Sequence, residues 1–460
     1  MTSEFANTRT LVWGAARSGI AAAALLRAAG AEVTLADDAP HDLIAPGIAR
    51  ALGDIDIAAG GELPQPIRHW STVVVSPGVP SSHPRLQEAR ESGVPVLSEI
   101  EIGARFTDAR IVAITGTNGK TTTTVLAAHL LGGEEAGAFA AGNVGRALCE
   151  VVQRPEACAR QATLVIEVSS YQCEHLERFH PDVAVVLNLR PDHLERHGGM
   201  DGYREAKARM GINLRSSDTV LFNADDPEVA RVIADWQGRR LPFSLESRPD
   251  PGVYFGGDSL IHDDGSLRET LMRRSDLRLP GRHSVANALA AAGVARICGV
   301  ACADIAARCR TFAGVPHRIE LVATERGVDH FNDSKATNLD SLLTALRSFD
   351  RPIVLIAGGR AKGEDFAALT EEIGRRVRAL VLMGEAAGAM ESAWGNAAPV
   401  QRADGLEDAV LAARATAQEG DVVLLSPGCA SFDMFRDFED RGDQFREAVL
   451  RLLGRGGHCS

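Results

Sequence analysis

The sequence predicts an α/β protein made of three successive units, each a mostly parallel sheet covered by helices. Three observations carry that expectation. Short apolar runs such as "RTLVW", "IVAIT" and "IVLIAGG" alternate with helical stretches such as "IAAAALLRAAG", the pattern of parallel strands joined by crossover helices. Most of these runs end at a glycine-bearing turn, and the chain holds 45 glycines. At 460 residues, the length suits about three domains.

The first domain, expected over residues 1–107, is Rossmann-like. "RTLVW" is a strand, "GAARSG" a turn, "IAAAALLRAAG" a helix closed by Gly30, and "AEVTLADD" a second strand ending in acids. "TVVVSPG", residues 72–78, is a further buried strand with a tight turn. The central domain, residues 108–313, opens at "ARIVAITGTNGKT". A strand over Ile111–Ile114 feeds a loop, and a helix is expected from Lys120 through Leu131. More strands follow at "TLVIEVSS" (163–170), "DVAVVLNL" (182–189) and "DTVLFNADD" (218–226). Residues 250–282, rich in Gly, Asp and Pro, read as turns and short strands before the helix "HSVANALAAAGVARICG". The C-terminal domain, residues 314–460, is again Rossmann-like, with strands at "RPIVLIAGG", "RALVLMG" and "GDVVLLSPG".

Composition narrows the function. A net charge of −12 would not draw nucleic acid or an anionic membrane surface, so neither is an expected partner. No apolar run approaches the length of a membrane span. Eight cysteines without a C-x-x-C pair fit a reducing cytoplasm.

The loop "GTNGKT" carries the first chemistry. Its G-x-x-G-K-T form, Gly116, Thr117, Asn118, Gly119, Lys120 and Thr121, is two residues shorter than the usual phosphate loop. Backbone N–H groups through Thr122, with the positive end of the following helix, would cradle the phosphates of ATP. Lys120 would reach the β- and γ-phosphates and the Thr121 hydroxyl would ligate Mg²⁺. Glu167, at the exit of "VIEVSSYQ", can join Thr121 on that ion. In "NLRPDHLERHGGMDGYREAKARM", His193 lies just past a strand, and Lys207 follows in an expected helix.

The short loop, "EVSSYQ" and "DH" followed by "YREAK" resemble the Mur ligase family, the ATP-dependent amino-acid ligases of bacterial peptidoglycan synthesis. The resemblance implies a second Mg²⁺ held by His193 and by Lys207 as N6-carboxylysine, and it makes Lys120, His193, Lys207 and Arg318 catalytic. Carbamylation needs a neutral amine, so the pKa of Lys207 should be depressed. "HFNDSKATNLDS" (330–341) and "LLSPGCASFDMFRDFEDRGDQF" (424–445) resemble the family members that add D-glutamate to UDP-N-acetylmuramoyl-L-alanine. By that resemblance Thr337, Lys362, Ser431 and Phe438 would surround the glutamate, and Lys335 would be a further phosphate or substrate contact. Arg318 would meet the γ-phosphate, while Asp333 and Asn287 would touch the ribose and adenine.

In the first domain the resemblance implies diphosphate binding by the N–H groups of Arg17 and Ser18. Asp37 and Asp38 would lie near uridine, with Gly78 and Asn143 against the muramoyl part. Two positions depart from the family pattern: Ala16 stands for a glycine, and Ala39 for a common arginine. The turn survives if residue 16 keeps φ negative.

The implied reaction is attack of the substrate carboxylate on the γ-phosphate, giving an acyl phosphate and ADP, and then displacement of phosphate by the glutamate amine. The enzyme would act as a monomer. The alternative is another ligase on the same scaffold, adding L-glutamate or a diamino acid, or resembling a folylpolyglutamate synthase.

Overall fold

The structure, a computed structural model, describes residues 3–456 apart from Asp54, Val144 and Lys362. The first sheet contains β1 (Arg9–Trp13), β2 (Glu32–Asp37), β3 (Asp56–Ala59), β4 (Thr72–Val75) and β5 (Val96–Ser98). Its order is β3-β2-β1-β4-β5, and every pairing is parallel. The strand order reverses beside β1, so the turns after β1 and β4 face one crevice, the usual ligand position in an open α/β sheet.

The second sheet contains β6 (Arg110–Thr115), β7 (Ala138–Gly142), β8 (Thr163–Glu167), β9 (Val183–Val186), β10 (Thr219–Asn223), β11 (Arg239–Ser244), β12 (Gly252–Gly256), β13 (Ser259–Asp263) and β14 (Arg268–Arg273). Its order is β14-β13-β12-β11-β10-β9-β6-β8-β7. The stretch read as turns and short strands forms the antiparallel meander β12-β13-β14. The third sheet contains β15 (Glu320–Glu325), β16 (Val328–Asn332), β17 (Ile353–Gly358), β18 (Val377–Met383), β19 (Val400–Arg402) and β20 (Val422–Leu425), in the order β15-β16-β20-β17-β18-β19.

Strands β8, β9, β17 and β20 are buried along their whole length. Near-continuous Val, Ile and Leu are therefore required, because both faces of a parallel sheet are covered. The expected strand over 163–170 ends earlier, at Glu167. Ser169 and Gln172 form a capping box that starts a short helix, Ser170–Cys173, and so stops the strand.

The chain divides into two compact units. One comprises the residues up to Asp276 with Val285–Arg310, and the other comprises Leu277–Ser284 with the residues from Thr311 onward. Within the first unit, one core runs from Val12, Leu35 and Val74 of the first sheet to Ile111, Leu164 and Ala184 of the second. A buried carboxylate fixes the same junction. Glu101, fully buried, accepts the backbone N–H groups of Glu177 at 2.9 Å, Arg178 at 3.0 Å and Phe179 at 2.9 Å. Arg105 donates to it at 2.8 Å.

Glu101→Ala should therefore destabilise the first unit by about 3–5 kcal/mol, the scale for stranding the partner of a buried ion pair. Denaturant unfolding monitored through this unit checks the value, and a loss under about 0.5 kcal/mol, as at an ordinary surface site, would contradict the junction's importance.

Candidate active site

Strand order brings the central chemistry together. β6 lies between β8 and β9, and the register pairs Ile114 with Glu167 and Thr115 with Val186. The carboxyl ends of three adjacent parallel strands therefore open on one place: Gly116–Gly119 after β6, Glu167 at the end of β8, and Asn188 to His193 after β9.

The loop is shaped by glycine and braced by asparagine. Gly116 has φ 155° and Gly119 φ 85°, conformations that L side chains avoid. A Cβ at Gly119 would lie 2.2 Å from the Asn287 side-chain oxygen, so Asn287 stands directly against the loop. Asn188 accepts the N–H of Thr117 at 3.1 Å and of Asn118 at 2.8 Å, and donates to the Asn118 carbonyl at 2.9 Å. The Tyr203 hydroxyl lies 3.1 Å from that of Thr117. The helix Lys120–Leu130 begins after Gly119 with no side-chain cap, and its start, with Thr122 in the first turn, is the kind of helix end that suits an anion.

Thr121 and Glu167 form a pair of hard oxygens, 2.7 Å apart, with the Glu167 residue buried. Asn143 donates to the other Glu167 oxygen at 2.7 Å. Its amide therefore steadies the carboxylate, a contact between segments too far apart in the sequence to be anticipated from it. Such a pair suits one Mg²⁺, which binds through one or two protein oxygens and completes its shell with water and phosphate.

Lys207, in the helix Met200–Ala208, is 1% exposed. Its Nζ donates to the Gly116 carbonyl at 2.9 Å and to Thr115 Oγ1 at 3.2 Å. Lys120 Nζ donates to the same Gly116 carbonyl at 2.9 Å and to that of Thr117 at 2.7 Å. Burial, and then the charge of Lys120, push the Lys207 pKa down to about 7. The depression expected for a carbamylated lysine is present. His193 takes a left-handed backbone, φ 53°, and packs against Tyr171 with ring centroids 4.9 Å apart. Among the described residues no three His, Cys, Asp or Glu side chains gather as a metal group.

The first sheet offers a second uncapped helix start. Ala16 keeps φ at −84°, and the helix Arg17–Ala28 starts with no side-chain cap, so the N–H groups of Arg17 and Ser18 point out of an intact turn. Ser76 Oγ donates to the Gly14 carbonyl at 2.9 Å, tying this turn to the one that carries Gly78. Asp37 is differently employed: it accepts the N–H of Ala15 at 2.7 Å and of Ala39 at 2.9 Å, closing the turn from beneath. Asp38 is the more open acid, 58% exposed at the side chain and 3.2 Å from His83.

In the second unit, β16, β20 and β17 are adjacent and parallel, with Asn332 and Ile356 both in register with Leu425. Their carboxyl ends carry Asp333 to Thr337, Ser426 to Ser431, and Gly358 onward. Lys335 Nζ sits 3.5 Å from the centre of the Phe438 ring, so that ring serves as a cation platform. Asp333 accepts from Ser426 at 2.9 Å and from the Ile319 N–H at 3.2 Å, and burial raises its pKa to about 7. Arg318 forms a bridge with Val315. Ser431 is buried and Thr337 half-buried. Lys362 lies outside the described residues.

An uncapped helix start above a buried oxygen pair, on a scaffold of three sheets, defines a nucleotide-phosphate protein of the α/β class. Comparison with known proteins supplies the family. Residues 8–98 match "Mur ligase MurD-like, N-terminal domain", residues 114–295 "Mur ligase middle domain", and residues 317–429 "Mur ligase, glutamate ligase domain". The chain is 42% identical to the UDP-N-acetylmuramoylalanine–D-glutamate ligase of Pelotomaculum thermopropionicum, across 98% of this chain and 99% of that one. It is 43% identical to the protein of the same name from Salinibacter ruber, with the same two coverages. The fold resembles the solved UDP-N-acetylmuramate-alanine ligase from Thermotoga maritima, with a TM-score of 0.58 at 19% identity over 96% of this chain and 99% of that one. It also resembles MurF from Acinetobacter baumannii, with a TM-score of 0.60 at 16% identity over 97% and 93%. The chain belongs to the Mur ligase family.

Gly119→Ala should weaken ATP binding at least about tenfold, or roughly 1.4 kcal/mol, because it meets both the left-handed φ and Asn287. Calorimetric titration with a non-hydrolysable ATP analogue checks this, and unchanged affinity would contradict the assigned loop geometry.

Proposed function

We propose that the chain is an ATP-dependent ligase that joins D-glutamate to UDP-N-acetylmuramoyl-L-alanine and releases ADP and phosphate. The chemistry rests on one observation above others: Lys207 is buried against the phosphate loop with its pKa near 7, where an ordinary ammonium would only repel a cation. The choice of substrates rests on the names of relatives matched over 98% of the chain.

A carboxylate and an amine do not condense in neutral water, since the oxygen of a carboxylate is a poor leaving group. Phosphorylation converts it into a good one. The first step brings two anions together, so positive charge at the reacting atoms lowers its barrier most. Lys120 and the N–H groups from Gly116 to Thr122 would hold the β- and γ-phosphates, with Asn188 keeping the loop rigid. Asn287 and Asp333 would be the adenosine contacts.

Thr121 and Glu167 would hold one Mg²⁺, and His193 with carbamylated Lys207 a second. Bound ions would screen the two anions and polarise the γ-phosphate. The substrate carboxylate attacks the γ-phosphorus, the bond to the β-phosphate oxygen breaks, and ADP leaves. The neutral amine of D-glutamate then attacks the acyl carbon, losing a proton as phosphate departs.

Residues 1–107 would take the nucleotide substrate through Arg17, Ser18, Asp38 and Gly78, with Asp37 shaping the turn and Asn143 completing the muramoyl side. Residues 108–313 would take ATP. Residues 314–460 would supply Arg318 for the γ-phosphate and Thr337, Lys362, Ser431, Phe438 and Lys335 for the glutamate. Among the described residues no helix is long and apolar enough to cross a membrane. A cytoplasmic monomer meeting only small-molecule substrates fits this reading.

Phosphate release with ATP, Mg²⁺ and UDP-N-acetylmuramoyl-L-alanine should require D-glutamate. L-glutamate, meso-diaminopimelate and L-alanine should give no more than background. Release with one of these instead would reassign the acceptor residues of the second unit.

The Lys207 amine is neutral above about pH 7 and protonated below, so at fixed dissolved CO₂ carbamate and activity should both rise with pH through that value. Lys207→Ala should be inactive, and added acetate should restore part of the activity without the same pH rise. A variant as active as the wild type, or one that no small carboxylate rescues, would remove the carbamate from the mechanism.

A further inference from the structure

Arg196 is the residue whose contacts the proposed reaction leaves unexplained. It lies three positions after His193 in the helix Leu194–His197, with a side chain only 15% exposed. Its guanidinium donates to the carbonyls of Pro77 and Val79, each at 3.0 Å. These two carbonyls flank Gly78 in the turn after β4. The same guanidinium pairs with Glu174 at 3.1 Å and lies 3.8 Å from the centre of the Tyr171 ring. Tyr171 is the ring that packs against His193.

The surroundings hold this arginine in one orientation. Glu174 also accepts from Ser81, which lies just beyond the gripped turn, and lies 3.2 Å from His197 Nδ1. Ser76, at the start of the turn, is tied in its own right to Gly14. One planar fork therefore joins the turn after β4, itself tied to the turn after β1 through Ser76, to the segment that carries His193. A planar guanidinium can serve two carbonyls, a carboxylate and a ring face together; a lysine ammonium has no such shape.

We propose that Arg196 is a positioning residue that sets the distance between the nucleotide-substrate turn at Gly78 and the metal-side His193. The inference rests on the proposed function, because the substrate's phosphates and its reacting carboxylate lie at opposite ends of one molecule. Holding the first sheet's turns at a fixed distance from the phosphate loop turns binding of the uridine end into alignment of the carboxylate. Pro77, Val79, Glu174 and Tyr171, the contacts of Arg196 described above, lie outside the phosphate loop and the residues proposed for glutamate, so its removal should act on one substrate selectively.

The test is steady-state kinetics of the wild type, Arg196→Ala and Arg196→Lys in the phosphate-release assay, each substrate varied in turn. Arg196→Ala should raise the KM for UDP-N-acetylmuramoyl-L-alanine by about tenfold or more and lower kcat, the scale for losing charge-assisted hydrogen bonds at a positioning contact. The KM values for ATP and D-glutamate should stay within about twofold, a change small enough to reflect only a few tenths of a kcal/mol. Arg196→Lys, which keeps the charge and protects the fold if the alanine variant is unstable, should shift the same KM in the same direction. Added guanidinium ion should restore part of the activity of Arg196→Ala.

A merely structural arginine would lower the melting temperature and the active fraction and leave all three KM values alone; that result, or a uniform shift of all three, overturns the inference. A wild type that is active beside unaffected variants overturns the inference and leaves the proposed function standing. A wild type that shows no substrate-dependent release overturns both.

Discussion

The register of three parallel strands is the constraint on which the rest depends. β6 pairs with β8 so that Ile114 stands opposite Glu167, and with β9 so that Thr115 stands opposite Val186. A slip of one residue in either pairing would carry Glu167 away from Thr121, or Asn188 away from the loop it braces, and reverse which side chains face the core. Continuous burial of β8 and β9 supports the register on both faces. The third sheet repeats the device, with β16, β20 and β17 ending together, so both groups of proposed site residues stand at the carboxyl ends of rigid strands.

A chain of net charge −12 must draw anions together by local means. Uncapped helix starts after Gly119 and Ala16 present fixed N–H groups where the proposed function puts phosphate, and such groups cost no reorganisation when a ligand arrives. Two lysines converge on the Gly116 carbonyl, and burial, with the charge of Lys120 second, pushes the Lys207 pKa down to about 7. Burial and a neighbouring like charge thereby favour the neutral amine that the proposed carbamate requires. The electrostatics of the loop and the proposed chemistry of the metal site are one arrangement.

Much of this was legible in the sequence because it is local. A strand, a glycine-rich loop and a helix are consecutive in "IVAITGTNGKTTTT", and Glu167 follows from the end of an apolar run. The negative φ of Ala16 could be set out as a condition and is met. Contacts between distant segments were not legible. Asp37 reads as a free acid at a strand end, yet its oxygens are taken by Ala15 and Ala39. Asn188 left one trace, a polar residue at the end of "VAVVL", while the grip of Arg196 on Pro77 and Val79 left none. Strands β3, β5, β7, β11, β15, β16 and β19 also escaped the pattern. All but β11 and β16 lie at sheet edges, where one side has no neighbouring strand and the run can be short; β11 and β16 are interior strands whose polar and charged residues, as in "RRLPFS" and "VDHFN", hide the apolar run.

The central claim is that phosphate passes to the substrate's own carboxylate. It is tested most directly by labelling that carboxylate of UDP-N-acetylmuramoyl-L-alanine with ¹⁸O and examining the phosphate released during ligation by mass spectrometry. Each phosphate should carry one oxygen from the carboxylate, because the acyl phosphate breaks at its carbon. Phosphate free of label, formed while product accumulates, would contradict the acyl-phosphate route.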